Sequence, residues 1–244
     1  MKHPNRIKNI IRKIRYSLHV TSRIFGKGAI ARTCPCCGYQ GRFDTVGDPP
    51  RYNALCPACS SFERHRLLTL VNHEQCFFLE KDVLHFAPEP VLSRIIKTQA
   101  KRYLTADLMT ESSDCILDIE QIDQPSESWD VILCSHVLEH VNDDLALRES
   151  YRILREDGLL LVIAPIIEGW DKTYENKNIA SKQDRDLHFG QSDHVRYFGR
   201  DIRTRIKNAG FSIFEYTAYG PDVVRYGLLR GEKVFACKKM HKNL

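Results

Sequence analysis

From Ser60 onward, segments with helical periodicity alternate with short apolar runs, and this alternation constrains the fold most. The pattern predicts a parallel α/β sheet with helices on both faces. Two runs are almost unbroken, Trp129–Ser135 and Leu159–Ala164. Strands this apolar are buried on both sides. The expected strands are 82–86, 102–106, 113–117, 129–135, 159–164, 211–217 and 233–237. Helices are expected over 61–79, 91–100, 143–154 and 199–209, with Asp157-Gly158 closing the third. Residues 166–197 read as a long polar connection, and a loop is expected around Gly220.

The basic residues are unevenly spread. Of 244 residues, the first 33 hold nine Lys/Arg and no Asp or Glu, a balance of +9. The rest hold 27 basic and 31 acidic residues, a balance of −4, and the sum is the formal +5. The body is therefore mildly acidic, which argues against a protein that binds nucleic acid over its whole surface. Residues 4–25 pattern as one amphipathic helix. Ile7, Ile10, Ile11, Ile14 and Leu18 form one stripe, opposite Arg6, Lys8, Arg12, Lys13 and Arg15. Such an arm can lie on an anionic membrane, pack on its own domain or a second copy, or bind RNA phosphates. Leu159–Ile167 is the longest apolar run, with nine residues interrupted by Pro165. A membrane span needs about 20. With no secretory signal visible, a cytoplasmic address is expected, peripheral on the inner membrane face if the arm binds lipid.

Nine cysteines, an odd total, argue against a disulfide framework. Cys34 and Cys37 form one C-x2-C pair, and Cys56 and Cys59 form another 18 residues later. Two intervening residues let one tight turn aim both sulfurs at one ion, so a structural Zn2+ held by four thiolates is expected. Cys37 is preferred over Cys36 because only Cys37 gives the two-residue gap. Cys115, Cys134 and Cys237 read as buried thiols. The organisation expected is a basic arm (1–30), a zinc ribbon (31–61) and an α/β domain (62–244).

The stretch Ser128-Trp-Asp-Val-Ile-Leu-Cys-Ser-His-Val-Leu-Glu-His-Val141, followed by Arg148-Glu-Ser-Tyr-Arg-Ile-Leu-Arg-Glu-Asp-Gly158 and an apolar run, resembles class I S-adenosylmethionine-dependent methyltransferases of type 11. The resemblance covers about residues 80–240. It implies a doubly wound, Rossmann-like, seven-stranded, mostly parallel sheet whose last strand is antiparallel. It also implies S-adenosylmethionine as cofactor, bound at the carboxyl ends of the first strands. The family's glycine-rich first loop is replaced by Val83-Leu-His-Phe-Ala-Pro-Glu-Pro90. His85 stands at the acidic position, and Ala87 and Glu89 stand at the first two glycines. A different loop conformation is expected, because Pro88 is confined to φ near −65°. Glu89 would supply the negative charge for the cofactor's ammonium group.

By position, Asp107 would accept the ribose hydroxyls and Asp118 the adenine amino group. Ile119 would pack on the ring, and Ser135 would line the pocket. Asp107 as a helix cap and Asp118 as a turn residue are the alternatives. Candidate proton acceptors are His136, His188 and His194. His136, Glu139 and His140 share one turn. They could hold a divalent ion, or Glu139 and His140 could simply brace the chain. The insertion ending in His188-Phe-Gly-Gln-Ser-Asp-His-Val-Arg-Tyr197 reads as a lid or acceptor loop. The expected activity is methyl transfer to a small-molecule or glycan-type hydroxyl. An RNA methyltransferase and a non-catalytic zinc-ribbon scaffold are the rivals, and the sequence leaves oligomeric state open.

Overall fold

The computed structural model describes residues 30–47, 49–109 and 113–240. The basic helix expected over 4–25 lies outside them.

Four short strands come first: β1 (Arg32–Thr33), β2 (Gln40–Gly41), β3 (Asp44–Val46) and β4 (Arg51–Leu55). They form two antiparallel pairs, β1–β2 and β3–β4. Their apolar interior is little more than Cys34, Phe43 and Cys56. Helix α1 (Glu63–Gln75) leads into the body. There follow β5 (Asp82–Phe86), α2 (Pro90–Lys97), β6 (Arg102–Asp107), β7 (Cys115–Ile116), β8 (Trp129–Ser135), α3 (Asp143–Ile153) and β9 (Leu154–Ile163). The insertion holds β10 (Tyr174–Glu175), α4 (Lys182–Phe189) and β11 (Arg196–Tyr197). The chain then forms α5 (Ile202–Asn208), β12 (Phe211–Thr217), α6 (Gly220–Tyr226) and β13 (Lys233–Lys239).

The main sheet has seven strands in the order β12-β13-β9-β8-β5-β6-β7. β5 through β9 pair in parallel, and β13 runs antiparallel to both β9 and β12. This is the expected architecture. The two-residue strand period sorts the core into two layers. Leu84, Ile132, Leu160 and Val162 face one layer, closed by Ala146 and Leu147 of α3 and Ile202 and Ile206 of α5. Val83, Val131, Leu133 and Leu161 face the other, closed by Leu67 and Leu68 of α1 and Leu92 and Ile96 of α2. Cys134 and Cys237 are sealed within the first layer.

Several expected boundaries shift. β9 begins at Leu154, not Leu159, so Asp157-Gly158 does not end α3. Leu154 pairs with Trp129 and Leu159 with Val131, so the intervening residues bulge from the sheet. Asp157 supplies a positive φ of 61° there. Burial of Leu154 explains why the strand starts early. Residues 220–226 form a helix rather than a loop, with Pro221 in its first turn and Gly227 in the left-handed region at its end. The insertion is structured rather than a bare connection. Cys115 is only half-buried, because β7 is a two-residue edge strand.

Candidate active site

The order of the parallel strands reverses at β5, which lies between β6 and β8. Ligands of open α/β sheets bind at the carboxyl ends of the strands at such a point. Ala87 and Glu89 follow β5 at this edge, Asp107 ends β6, and Ser135 and His136 end β8.

Ala87 adopts φ 49°. A residue with a Cβ is disfavoured there by about 1–2 kcal/mol. The loop thus keeps, at this position, the unusual φ that a glycine would supply. The Ala87 amide donates to the Ala106 carbonyl at 2.9 Å, holding the loop against the end of β6.

Glu89, expected from the sequence to meet the cofactor's ammonium group, is held by side chains of this chain. Its Oε1 accepts from the Arg64 guanidinium and lies 2.6 Å from His65 Nε2. Its Oε2 accepts from Ser135 Oγ at 2.9 Å. His65 Nδ1 accepts the Phe62 amide hydrogen at 3.1 Å, so the proton sits on Nε2 and is donated to Glu89. Burial alone would raise the Glu89 carboxyl. The hydrogen bond from His65 and the charge and hydrogen bonds of Arg64 outweigh it and hold the group well below the usual carboxylate range. Arg64 and His65 were missed in the sequence. The available signal was two basic residues opening the helix that leads into the first strand of the sheet.

His85 is fully buried mid-strand, its Nδ1 2.9 Å from the Tyr103 hydroxyl, which donates on to Ser93. Burial lowers its pKa to about 4, so it is neutral. Asp107 Oδ1 accepts the Met109 amide. Asp118 is exposed, and its Oδ1 accepts the Glu120 amide in a tight turn. Ile119 is buried in the core with Leu117 and Ile122.

His136, Glu139 and His140 lie on a turn after β8, not on a helix. His136 has φ 56°, and its Nδ1 is 3.0 Å from Oε1 of the buried Glu139. The His140 and His194 rings meet edge-on with centroids 4.6 Å apart. Burial, and then the charge of His140, lower the His194 pKa. The structure therefore gathers His136 and His194 around Glu139. His188 stands apart on exposed α4, its Nδ1 2.7 Å from the Tyr174 hydroxyl. Glu232, also missed in the sequence, starts the turn into β13 with its Oε2 buried and without a hydrogen bond. Burial, aided by the charge of Glu63, pushes its carboxyl up to about 7 against His136, Arg64 and Arg51.

Ahead of the sheet, Cys34, Cys37, Cys56 and Cys59 bring their sulfurs within 4.8 Å of one another. Cys34–Cys59 and Cys37–Cys56 are 3.7 and 3.8 Å apart. A tetrahedral ion with bonds of about 2.3 Å to sulfur has S–S edges of about 3.8 Å, so the donor set fits zinc. Cys36 instead places its thiol 3.2 Å from Thr69 Oγ1 of α1, in keeping with the preference for Cys37.

Residues 82–162, from β5 to the end of β9, match a methyltransferase-domain family model. The ubiquinone/menaquinone biosynthesis C-methyltransferase UbiE of Escherichia coli O1:K1 is 33% identical over 128 residues, covering 47% of this chain and 50% of that protein. The chain thus spans about half the length of the curated relatives it matches. Among solved structures, the Burkholderia thailandensis 1,6-didemethyltoxoflavin-N1-methyltransferase, with bound substrate and S-adenosylhomocysteine, superposes with a TM-score of 0.51 at 13% identity. It covers 99% of this chain and 92% of that one. The [4+2]-cyclase SpnF superposes with a TM-score of 0.53 at 13% identity, over 73% and 82% of the two chains. Identities this low establish the fold alone, and the cyclase demonstrates that the fold hosts more than one chemistry.

Proposed function

We propose that the chain carries a class I S-adenosylmethionine-dependent methyltransferase domain and transfers a methyl group from S-adenosylmethionine to a small-molecule or glycan-type hydroxyl. One observation carries the reading. A charge of each sign, Arg64 and Glu89, meets at the strand-order reversal beside Ser135, with Ala87 and Asp107 on the adjoining strand ends. The amino-acid end of the cofactor is a zwitterion, and this pair offers partners for its carboxylate and its ammonium. Asp107 offers a carboxylate for the two ribose hydroxyls. When bound, the cofactor supplies an electrophilic methyl group on a sulfonium.

Acceptor alignment and proton removal fall to this chain's own groups. His136, braced by Glu139, stands directly after β8 and is the nearest base to the pocket edge along the chain. Trp170 of the insertion packs edge-on against both Tyr174 and Tyr197, and the three rings offer an apolar wall. A second reading, methylation of a carbon atom, is favoured by the name of the E. coli relative, a C-methyltransferase. We also assign a structural zinc to the four cysteines.

Calorimetric titration of the zinc-loaded protein with S-adenosylmethionine and S-adenosylhomocysteine tests the cofactor assignment. Micromolar binding that weakens at least tenfold in Asp107→Ala and in Arg64→Ala is expected. Folded protein that binds neither ligand would overturn the assignment and favour a scaffold. Acidic hydrolysis or mass-spectrometric fragmentation of a methylated product distinguishes oxygen from carbon as the accepting atom.

A further inference from the structure

We propose that Glu139, His140 and His194 form a divalent-metal site beside the methyl-transfer pocket, separate from the cysteine quartet. The three side chains bring one ligand atom each to within 4.8 Å of the others. Glu139 is completely buried, and neither of its carboxylate oxygens has a hydrogen bond. Among the described residues its ion-pair contact is His136 Nδ1, 3.0 Å from Oε1, and that contact lacks hydrogen-bond geometry. An ionised carboxylate taken from water without such bonds costs several kcal/mol, which a divalent cation would offset. Nδ1 of His194 is likewise buried and without a partner, and the residue is 4% exposed.

The tautomer of His140 fits the same purpose. Its Nδ1 lies 3.2 Å from the Asp193 carbonyl, an oxygen that can only accept, so Nδ1 carries the proton. Nε2 is left with the lone pair. A metal-bound imidazole is commonly held in this way, by a carbonyl or carboxylate on its other nitrogen. Asp193 Oδ2 is a further 3.5 Å contact of the same Nδ1. The Val195 amide donates to the Glu139 carbonyl at 2.9 Å, strapping the insertion's end to the turn after β8. The three donors thus come from two segments tied together by the backbone. An ion bonded at about 2.1 Å draws its ligand atoms to roughly 3–4 Å apart, so closure from within 4.8 Å needs a contraction of at most about 1–2 Å.

One carboxylate and two imidazoles suit a borderline divalent ion such as Zn2+, Mn2+ or Fe2+, and three protein ligands leave positions open. An open position four residues beyond Ser135 would polarise an oxygen of the acceptor. That role rests on the proposed methyl transfer to a hydroxyl; the binding of metal does not.

Titration of the zinc-loaded full chain with Mn2+, followed by the electron paramagnetic resonance signal of free Mn2+, reads the site without cofactor or acceptor. The expected result is one Mn2+ per chain beyond the zinc equivalent. Affinity should fall at least tenfold in Glu139→Gln and in His194→Ala, with circular dichroism confirming that each variant is folded. His140→Ala replaces either variant if it fails to fold. Wild-type protein that takes up no Mn2+, and no Co2+ or Zn2+ beyond the cysteine site, would overturn the proposal. So would stoichiometric binding that persists undiminished in the folded variants. Bound Mn2+ without methyl transfer to any hydroxyl would count against the proposed acceptor and leave the metal site standing.

Discussion

Arg66→Met keeps the length of a buried side chain and removes its five N–H donors. The guanidinium is fully enclosed on α1. It donates to the carbonyls of Asn53, Ala54 and Ser61 on the cysteine-bearing segment, and to those of Tyr226 and Gly227 at the end of α6. It also stacks over Phe43, 4.6 Å from the ring centroid. Five carbonyls would lose the guanidinium as a donor, at about 1 kcal/mol each, and the Ser61 carbonyl would keep the Cys56 amide. Release of the desolvation cost of the cation offsets part of that loss. The net is about 3 kcal/mol, in the range seen when one side of a buried charged network is removed. Whole domains are stable by about 5–15 kcal/mol, so the loss is large. In urea it is a fall of about 1 M in midpoint for a slope of about 3 kcal/mol/M. Arg66→Lys retains the charge but has only three donors and no planar fork, so about half the loss is expected. Equilibrium urea unfolding of the zinc-loaded proteins, followed by tryptophan fluorescence, makes the measurement. A midpoint shift for Arg66→Met below about 0.3 M, which is about 1 kcal/mol on the same slope, would refute the claim that this guanidinium ties the segments together. A lysine variant as stable as wild type would refute the claim that fork geometry, rather than charge, is what the site needs.

Ala87→Gly should stabilise the fold by about 0.5–1 kcal/mol, because relief at φ 49° exceeds the added freedom of the unfolded chain; a lower melting temperature would contradict the strained assignment. Stability should fall as pH rises from about 4.5 to 7, because Glu232 ionises in the unfolded chain before it ionises in the fold. The contribution of Glu232 is fully present below the unfolded value and is lost through about 7, amounting to about 2–3 kcal/mol. Glu232→Gln should flatten this slope in urea melts taken across the same range. Chelation of the metal should release one Zn2+ per chain and lower the melting temperature, since the segment around Cys34, Phe43 and Cys56 has too little apolar interior to hold itself. Cys37→Ser should do the same without chelator.

The strands that carry the site were legible because each obeys a local rule. Trp129–Ser135 is an apolar run broken inside only by Asp130, and it folds with the expected bounds. The cysteine quartet was legible from spacing alone, since one turn between paired ligands is a local geometry. What the sequence concealed were contacts made over distance. Glu89 looks like a lone carboxylate in the sequence, yet its partners lie 24 and 25 residues before it and 46 after it. His194 meets Glu139 across the insertion, and no periodicity links 139 to 194. The early start of β9 was hidden because Arg155, Glu156 and Asp157 are a polar bulge that reads as a break. Helix α6 was hidden because its Gly-Pro-Asp opening is also a turn signature.

The graded burial of the nine thiols gives this chain a built-in probe of which layer of the structure opens first. Cys76 is exposed at the end of α1, whereas Cys134 and Cys237 are sealed in the sheet core. Burial pushes each of those two thiols far above the ordinary thiol range, so neither reacts as a thiolate while the sheet is intact. Alkylation under native conditions should therefore label Cys76 at once. The quartet should follow at the rate at which metal leaves, and Cys134 and Cys237 only at the rate of global unfolding. Mass-resolved labelling of an unmodified sample would then separate opening of the cysteine segment from opening of the sheet, with no reporter group added.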